Sequence, residues 1–400
     1  MGLKLCAHET MILGIDLRCL PPGGTPGTGI AHASREITKA LFALSSGHPN
    51  LTLSLYIPRE AAQEHGKEIF RNMSSGKCRI IKLNSATGGS LRQSLEAYGC
   101  DILFVPSGAV APGIKIPVVP WVHDVAIFDH PEWFPESLFR RAITTNLFRK
   151  GIRKAGHVLC VSQFTKDELV KKFQLDPSTV RVTLEGGDPE LASLHDEALA
   201  QAKQKARYRL AERGVTRPFI LYLGTLEPRK NLPMLLKAWD EARSEFKRPT
   251  DLVIAGRDGW KLDAISSSLV DAQRGRTDTQ SRLHRIEAPT DEHRRDLLLA
   301  AELVALPSFY EGFGLVALEA MQAGTAVLSS TGGALPEVVG DASPCLPPDD
   351  LRAWKQSLLE LMDSEQKRAD VARQGKMRST KMGWEIAANV ILDVLTDRAV

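Results

Sequence analysis

The stretch ALPSFYEGFGLVALEAMQAG, residues 305–324, decides the fold. ELVALPS, 302–308, has the short apolar run of a buried strand, and GLVALEAMQAG, 314–324, the pattern of a helix stopped by Gly324. The spacing predicts a tight strand-to-helix turn that holds Glu311, Gly312, Phe313 and Gly314, with Glu319 on the helix behind it. Eight positions at about 100° each make roughly two turns plus 80°, so Glu311 and Glu319 need not share a helical face. Backbone N–H groups from Gly312 to Leu315 would lie at a helix N-terminus, where anions bind and glycine permits close approach. Such a junction suits a phosphate flanked by hydroxyl-rich groups, with carboxylates accepting from sugar hydroxyls. The bland alternative is a solvated glutamate beside a turn, with Glu319 on an exposed face.

Outward from this unit, strand-like runs alternate with helical segments along the whole chain. The runs MILGIDL, LTLSLYI, CRIIKL, DILFVPS, VVPWVHD, HVLCVSQ and VRVTL occupy the first half, separated by segments such as SREITKALFALSS and TKDELVKKF, the latter capped by Ser162 or Thr165. The rhythm restarts with PFILYLG, DLVIAG, HRIEAP, ELVALPS and AVLSST. Alternation of this kind argues for right-handed βαβ units and a parallel sheet covered on both faces. Residues 186–217, turn-rich and then charged and Ala-rich, read as the connection between two Rossmann-like domains. The expected division is 1–205 for the first domain and 206–380 for the second, with 381–400 packing back on the first. Residues 274–282, RGRTDTQSR, read as a mobile loop. In α/β sheets ligands lie at the carboxyl ends of strands, so motifs at those ends carry the most weight.

Composition sets limits. Four hundred residues exceed what one core usually organises, and 43% hydrophobic with 25% charged residues is ordinary for a soluble globular protein. A formal charge of +3 gives no case for nucleic acid. The six cysteines, Cys6, Cys19, Cys78, Cys100, Cys160 and Cys345, lack metal-site spacing and read as reduced thiols, which suits a cytoplasmic protein. No apolar stretch approaches eighteen residues and no signal peptide is evident. Cys6 in MGLKLC stands where a myristoylation signal wants Ser or Thr, and residues 1–10 read as a lead-in to the first strand.

The segment 308–342, SFYEGFGLVALEAMQAGTAVLSSTGGALPEVVGDA, resembles the Glu-x7-Glu signature of retaining glycosyltransferases of family 4, which have the GT-B fold. YLGTLEPRKNLPMLLKAW is similar to that family's basic-pair motif, LVIAGRDGW to its following strand and glycine turn, and GWEIAANVILDVL to its closing helix. The resemblance covers nearly the whole chain and implies an α/β protein of two Rossmann-like domains facing a central cleft.

It also implies roles. Arg229 and Lys230 follow the strand end ILYLGT, where they would grip a diphosphate; without the family match they read as solvated surface. Glu311 would hold the donor sugar hydroxyls and Glu319 the nucleotide ribose, with Gly256, Gly312, Phe313, Gly314 and Leu315 around the donor. The loop PPGGTPGTGIAHASREI would bring Gly27 and Gly29 toward acceptor and donor phosphate, although its glycines are spaced as GTG rather than adjacent. His123 closes the strand VVPWVHD beside Asp124, and in the family a histidine there contacts the donor sugar. PESLFRRAITTNLFRKGIRKAG, 135–156, which contains the basic helix 136–155, carries Arg140, Arg141, Arg149, Lys150, Arg153 and Lys154 against Glu136. Its bland reading is a helix with its apolar side on the sheet, and the sharper one a basic surface on anionic lipid of the inner plasma membrane.

The expected activity is transfer of a hexose, mannose favoured on the strength of HDVAIFDHPEWFP and AGRDGW, from GDP-mannose or a UDP-sugar to a glycan or lipid-linked acceptor. Neither a metal nor a cofactor is expected, since two cations and a helix terminus can meet the charge of a leaving diphosphate. A GT-B nucleotide-sugar epimerase and a non-catalytic nucleotide-sugar-binding protein are the alternatives.

Overall fold

A computed structural model describes residues 10–22, 29–62, 77–135, 138–273 and 281–397, with the side chains at 138–142, 264 and 270–273 excepted. The chain divides into two compact units, one formed by Met1–Phe128, Glu136–Gly186 and Gly383–Val400 and the other by Asp129–Pro135 and Gly187–Met382. Gly27, Cys6, Glu136 and most of the 274–282 loop lie outside the described residues.

In the first unit, strands β1 (Met11–Asp16), β2 (Leu51–Pro58), β3 (Cys78–Leu83), β4 (Ile102–Val105), β5 (Val118–Val122), β6 (Val158–Cys160) and β7 (Val180–Val182) form one sheet in the order β3-β2-β1-β4-β5-β6-β7. Every described pairing is parallel. Leu103, Val105 and Ile81 pack in one cluster with Leu91, and Val122, Val158 and Cys160 in another with Leu169 and Phe173. Ser162 begins the helix Gln163–Phe173 by accepting from the Thr165 amide at 3.0 Å. The closing helix Trp384–Thr396 packs on the helix Gly29–Ser45 within this unit.

In the second unit, β8 (Phe219–Leu223), β9 (Asp251–Ala255), β10 (Leu283–Ile286), β11 (Leu303–Leu306), β12 (Ala326–Ser330) and β13 (Cys345–Leu346) make a parallel sheet ordered β10-β9-β8-β11-β12-β13. The short edge strand β13 has no counterpart in the sequence reading. Strands β8, β9, β11 and β12 are buried along their whole length, which is why their sequences are continuous apolar runs rather than alternating ones. Trp239 and Trp354, from the helices Leu232–Ala242 and Leu351–Asp363, are fully buried beside Leu235, Leu236 and Leu358.

The chain passes between units at Gly186–Gly187, earlier than the division expected at 205 and 206. The charged segment taken as connection contains the helix Asp196–Glu212, which packs on the helix Asp291–Ala300 of the second unit. Arg209 of that helix pairs with the buried carboxylate of Asp296, a tertiary contact that local composition does not announce.

Gly256 sets how closely the ends of β8 and β9 approach. Its φ is 144°, and a Cβ there would stand 1.9 Å from the Gly224 carbonyl oxygen. Gly256→Ala is expected to destabilise the protein by at least about 2 kcal/mol through backbone strain and overpacking. The measurement is the urea midpoint at unchanged slope; a wild-type midpoint would show that the strand ends separate freely.

Candidate functional site

The carboxyl ends of β8 and β11 carry a cluster of opposite charges. After β8 the chain forms the turn Pro228–Lys230, and Asn231 ends it in the left-handed region at φ 53°, a conformation asparagine tolerates better than most residues. The Asn231 amide donates to the carbonyls of Pro307 and Pro348, at 3.1 and 2.6 Å, and so pins the basic pair to the loop after β11. The amide of Phe309 donates to the Arg229 carbonyl at 2.8 Å.

Glu311 sits in that loop and is nearly buried. Lys230 Nζ donates to both its oxygens, 2.6 Å to Oε1 and 2.8 Å to Oε2, Ser308 Oγ donates to Oε1 at 2.8 Å, and Arg229 Nη1 lies 3.6 Å from Oε2. Burial by itself would raise the Glu311 carboxyl; Lys230 and Arg229 hold it below the ordinary glutamate value. Arg229 is fixed in turn by Glu227, whose buried Oε1 accepts from Nε at 2.6 Å. Neither Ser308 nor Glu227 was singled out from the sequence. A serine three residues before a glutamate and a glutamate two before an arginine are common, and only the fold shows that they meet.

Glycines of the next turn hold Glu311 from behind. A Cβ on Gly332 would stand 2.1 Å from the Ser308 carbonyl oxygen and one on Gly333 2.2 Å from that of Glu311. The Ala334 amide donates to the Glu311 carbonyl at 2.8 Å. Gly314, at φ 115°, precedes the helix Leu315–Gln322, and Gly324 follows it at φ 61°. Phe313 is buried, and Gly256 is accounted for by the β8–β9 approach described above.

Glu319 is also buried, but in a different network. Arg294 Nη1 donates to its Oε2, and Arg294 Nη2 reaches Asp188 Oδ2 at 2.9 Å. Arg295 Nε donates to the same Asp188 oxygen at 2.8 Å. Burial would raise the Asp188 carboxyl, yet Arg295 and Arg294 hold it below its ordinary value. Thus the two glutamates of the opening motif have separate cationic partners. The segment Asp129–Pro135 belongs to this unit as well: Trp133 stacks on His130 with ring centres 3.9 Å apart and lies near-parallel to Phe309 at 6.1 Å. Trp260 Nε1 donates to the Trp133 carbonyl.

His123 lies in the first unit at the end of β5. Its Nε2 faces the Pro106 carbonyl at 2.7 Å and its Nδ1 the buried Glu185 carboxylate at 2.8 Å. A carbonyl only accepts, so Nε2 donates to Pro106, and Nδ1 is left facing the Glu185 carboxylate. Burial pushes His123 down, but Glu185 and the Pro106 carbonyl carry it above its ordinary value. Asp124 accepts from the Ala126 amide at 3.2 Å. Gly29 opens its helix, exposed, with nothing within 4 Å of where a Cβ would be.

A family model described as Glycosyltransferase Family 4 matches residues 43–191, and one described as Glycosyl transferases group 1 matches residues 211–378. The O-antigen chain mannosyltransferase B of Escherichia coli is 30% identical over 263 residues, 66% of this chain and 66% of that protein. A D-inositol 3-phosphate glycosyltransferase of Salinispora tropica is 29% identical over 252 residues, 61% of this chain and 51% of its own. The chain therefore spans just under two thirds and about half of the lengths of these relatives. The crystal structure of the Anabaena protein HepE in complex with UDP shares the fold, with a TM-score of 0.70 at 18% identity over 97% of this chain and 100% of that one.

Lys230→Met leaves the Glu311 charge buried with less compensation, and a loss of about 3 kcal/mol is expected, largely recovered in Lys230→Met with Glu311→Gln. The pH dependence has a fixed sign. A carboxyl lowered in the folded state adds stability above the unfolded glutamate value, and that stability is lost as pH falls through the folded value. In Lys230→Met the loss should begin at higher pH than in wild type. Chemical denaturation across pH 3–7 measures both, and an unmoved acid limb would show that Lys230 does not hold the carboxylate.

Proposed function

This chain belongs to glycosyltransferase family 4 and has the GT-B fold, and on that premise we propose that it is a retaining hexosyltransferase. The donor is a nucleotide diphosphate sugar, GDP-mannose before a UDP-sugar, and the acceptor a hydroxyl of a glycan or lipid-linked saccharide. The relatives named as mannosyltransferase and glycosyltransferase support sugar transfer, and the O-antigen relative supports mannose. The observation that carries the reading is the cluster of Arg229, Lys230 and Glu311 at the ends of β8 and β11.

In this reading Arg229 and Lys230 face the diphosphate, where negative charge grows as the bond from the anomeric carbon to the phosphate oxygen breaks. Lys230 shares its ammonium between that phosphate and Glu311, whose carboxylate accepts from sugar hydroxyls. The acceptor oxygen bonds to the anomeric carbon on the face the phosphate leaves, and its proton goes to the departing phosphate oxygen. No side chain serves as nucleophile and no metal takes part, because two fixed cations already oppose the developing charge. His123, held between Glu185 and the Pro106 carbonyl, orders the end of β5 in the first unit.

A peripheral contact with anionic lipid belongs to the same proposal. On the helix Leu138–Lys154, Ile143 and Leu147 are exposed one turn apart, and Arg149, Lys150, Arg153 and Lys154 are exposed near them. Ile152 is buried and Phe148 packs on Phe128 and Phe173, so this helix has an inward apolar side and an outward mixed one. Among the described residues no helix is long and apolar enough to cross a membrane.

Arg229→Gln is expected to keep the folded circular-dichroism spectrum and to lower transfer at least about 100-fold. The assay offers a panel of nucleotide sugars with and without saccharide acceptors and follows both products. Epimerised sugar without acceptor would point to an epimerase, binding without turnover to a carrier, and full activity in Arg229→Gln would remove the diphosphate assignment. Adding a chelator should leave the transfer rate unchanged; a rate that vanishes and returns with a divalent ion overturns the metal-free account. For the membrane contact, Ile143→Ser with Leu147→Ser should weaken co-sedimentation with phosphatidylglycerol vesicles and leave soluble-acceptor turnover alone; equal sedimentation would dismiss the surface.

A further inference from the structure

We propose that Arg294 is a positioning residue for nucleotide binding: it ties up one oxygen of Glu319, so that the ribose hydroxyls are accepted by the other oxygen alone. The inference rests on the reading of Glu319 as the ribose-binding carboxylate given above and extends it to a residue outside the Glu-x7-Glu motif.

The guanidinium bridges two buried carboxylates. Its Nη1 donates to Glu319 Oε2 and its Nη2 to Asp188 Oδ2, so its plane is set by two anchors rather than one. Asp188 is itself immobilised. Its Oδ1 caps the helix Pro189–Ser193 by accepting from the amides of Glu190 at 2.9 Å and Leu191 at 3.2 Å, and its Oδ2 also accepts from Arg295. Arg294 therefore cannot swing away from Glu319 without breaking an ion pair whose other end is fixed. Both Arg294, in the first turn of the helix Asp291–Ala300, and Glu319, in the helix Leu315–Gln322, follow strands of one sheet, so their bases are as rigid as the sheet.

Among the described residues Glu319 Oε1 has no hydrogen-bond partner, while Oε2 is occupied. A carboxylate divided in this way differs from one free to place an oxygen under each of two hydroxyls. It accepts through one oxygen, at an orientation the protein has already chosen, and the ordering is in place before the nucleotide arrives. Lysine could not replace arginine here, because a single ammonium does not span both carboxylates in a fixed plane.

The test is titration calorimetry of GDP and UDP and of their 2′,3′-dideoxy forms against wild type, Arg294→Gln, Arg294→Lys, Glu319→Gln and the Arg294→Gln, Glu319→Gln double variant. Wild type should prefer the ribose form of whichever nucleotide it binds. Arg294→Gln should cut that preference about tenfold, the size of one hydrogen bond to a charged group, while the dideoxy form binds as before. Arg294→Lys should fall between, and the double variant should match Glu319→Gln, since the two residues act as one. Equal weakening of ribose and dideoxy forms, or a preference untouched by Arg294→Gln, overturns the positioning role and leaves Glu319 in place. A wild type that binds nucleotide without regard to the ribose hydroxyls overturns both assignments together. Should Arg294→Gln fail to fold, Arg294→Lys, which keeps the charge, carries the same comparison.

Discussion

The second unit is organised around one electrostatic constraint: a glutamate must stay ionised where water scarcely reaches it. A buried carboxylate alone would take up a proton, so Glu311 is surrounded by Lys230, Arg229 and the Ser308 hydroxyl. Those partners come from the end of β8 and from its own loop, and Lys230 and Ser308 are delivered to hydrogen-bond length, with Arg229 just beyond it. Asn231 in its left-handed conformation, the Phe309 amide on the Arg229 carbonyl and the close-packed Gly332 and Gly333 all serve that delivery. Much of the local backbone geometry around the site can be traced to keeping one negative charge in one place.

Glu319 shows the same constraint solved differently. Its charge is balanced by Arg294, which in turn leans on Asp188, a residue just past the point where the chain enters this unit. The two motif glutamates are thus held by independent cations, Lys230 with Arg229 for one and Arg294 for the other. A coupled acid/base pair would need its carboxylates to sense each other directly. Here each instead senses arginine or lysine.

Particular residues show how far reading along the chain could go. The turn at Glu311, the strand before it and the helix stopped by Gly324 follow from local pattern, as does the cap at Ser162, because strand periodicity, helix stops and caps are short-range effects. Arg294 could not be picked out, since DEHRRDLLLA looks like any charged helix start until the next helix is laid beside it. The helix Asp196–Glu212 is hidden for the same reason: its high charge reads as solvent exposure, while one face finds the helix Asp291–Ala300. His123 follows the end of β5, as the run VVPWVHD indicates, but its two partners, Pro106 and Glu185, are 17 and 62 residues away.

By itself the sequence determined the alternation of buried strands and helices, the two-sheet architecture, and the residue types gathered at strand ends, because these depend on patterns within some twenty residues. Tertiary structure decided which charges neutralise which, where the chain crosses from one unit to the other, and which oxygen of Glu319 Arg294 occupies. Those outcomes depend on distances between segments far apart in sequence, and an ion pair exists only when the fold closes that distance to hydrogen-bond length.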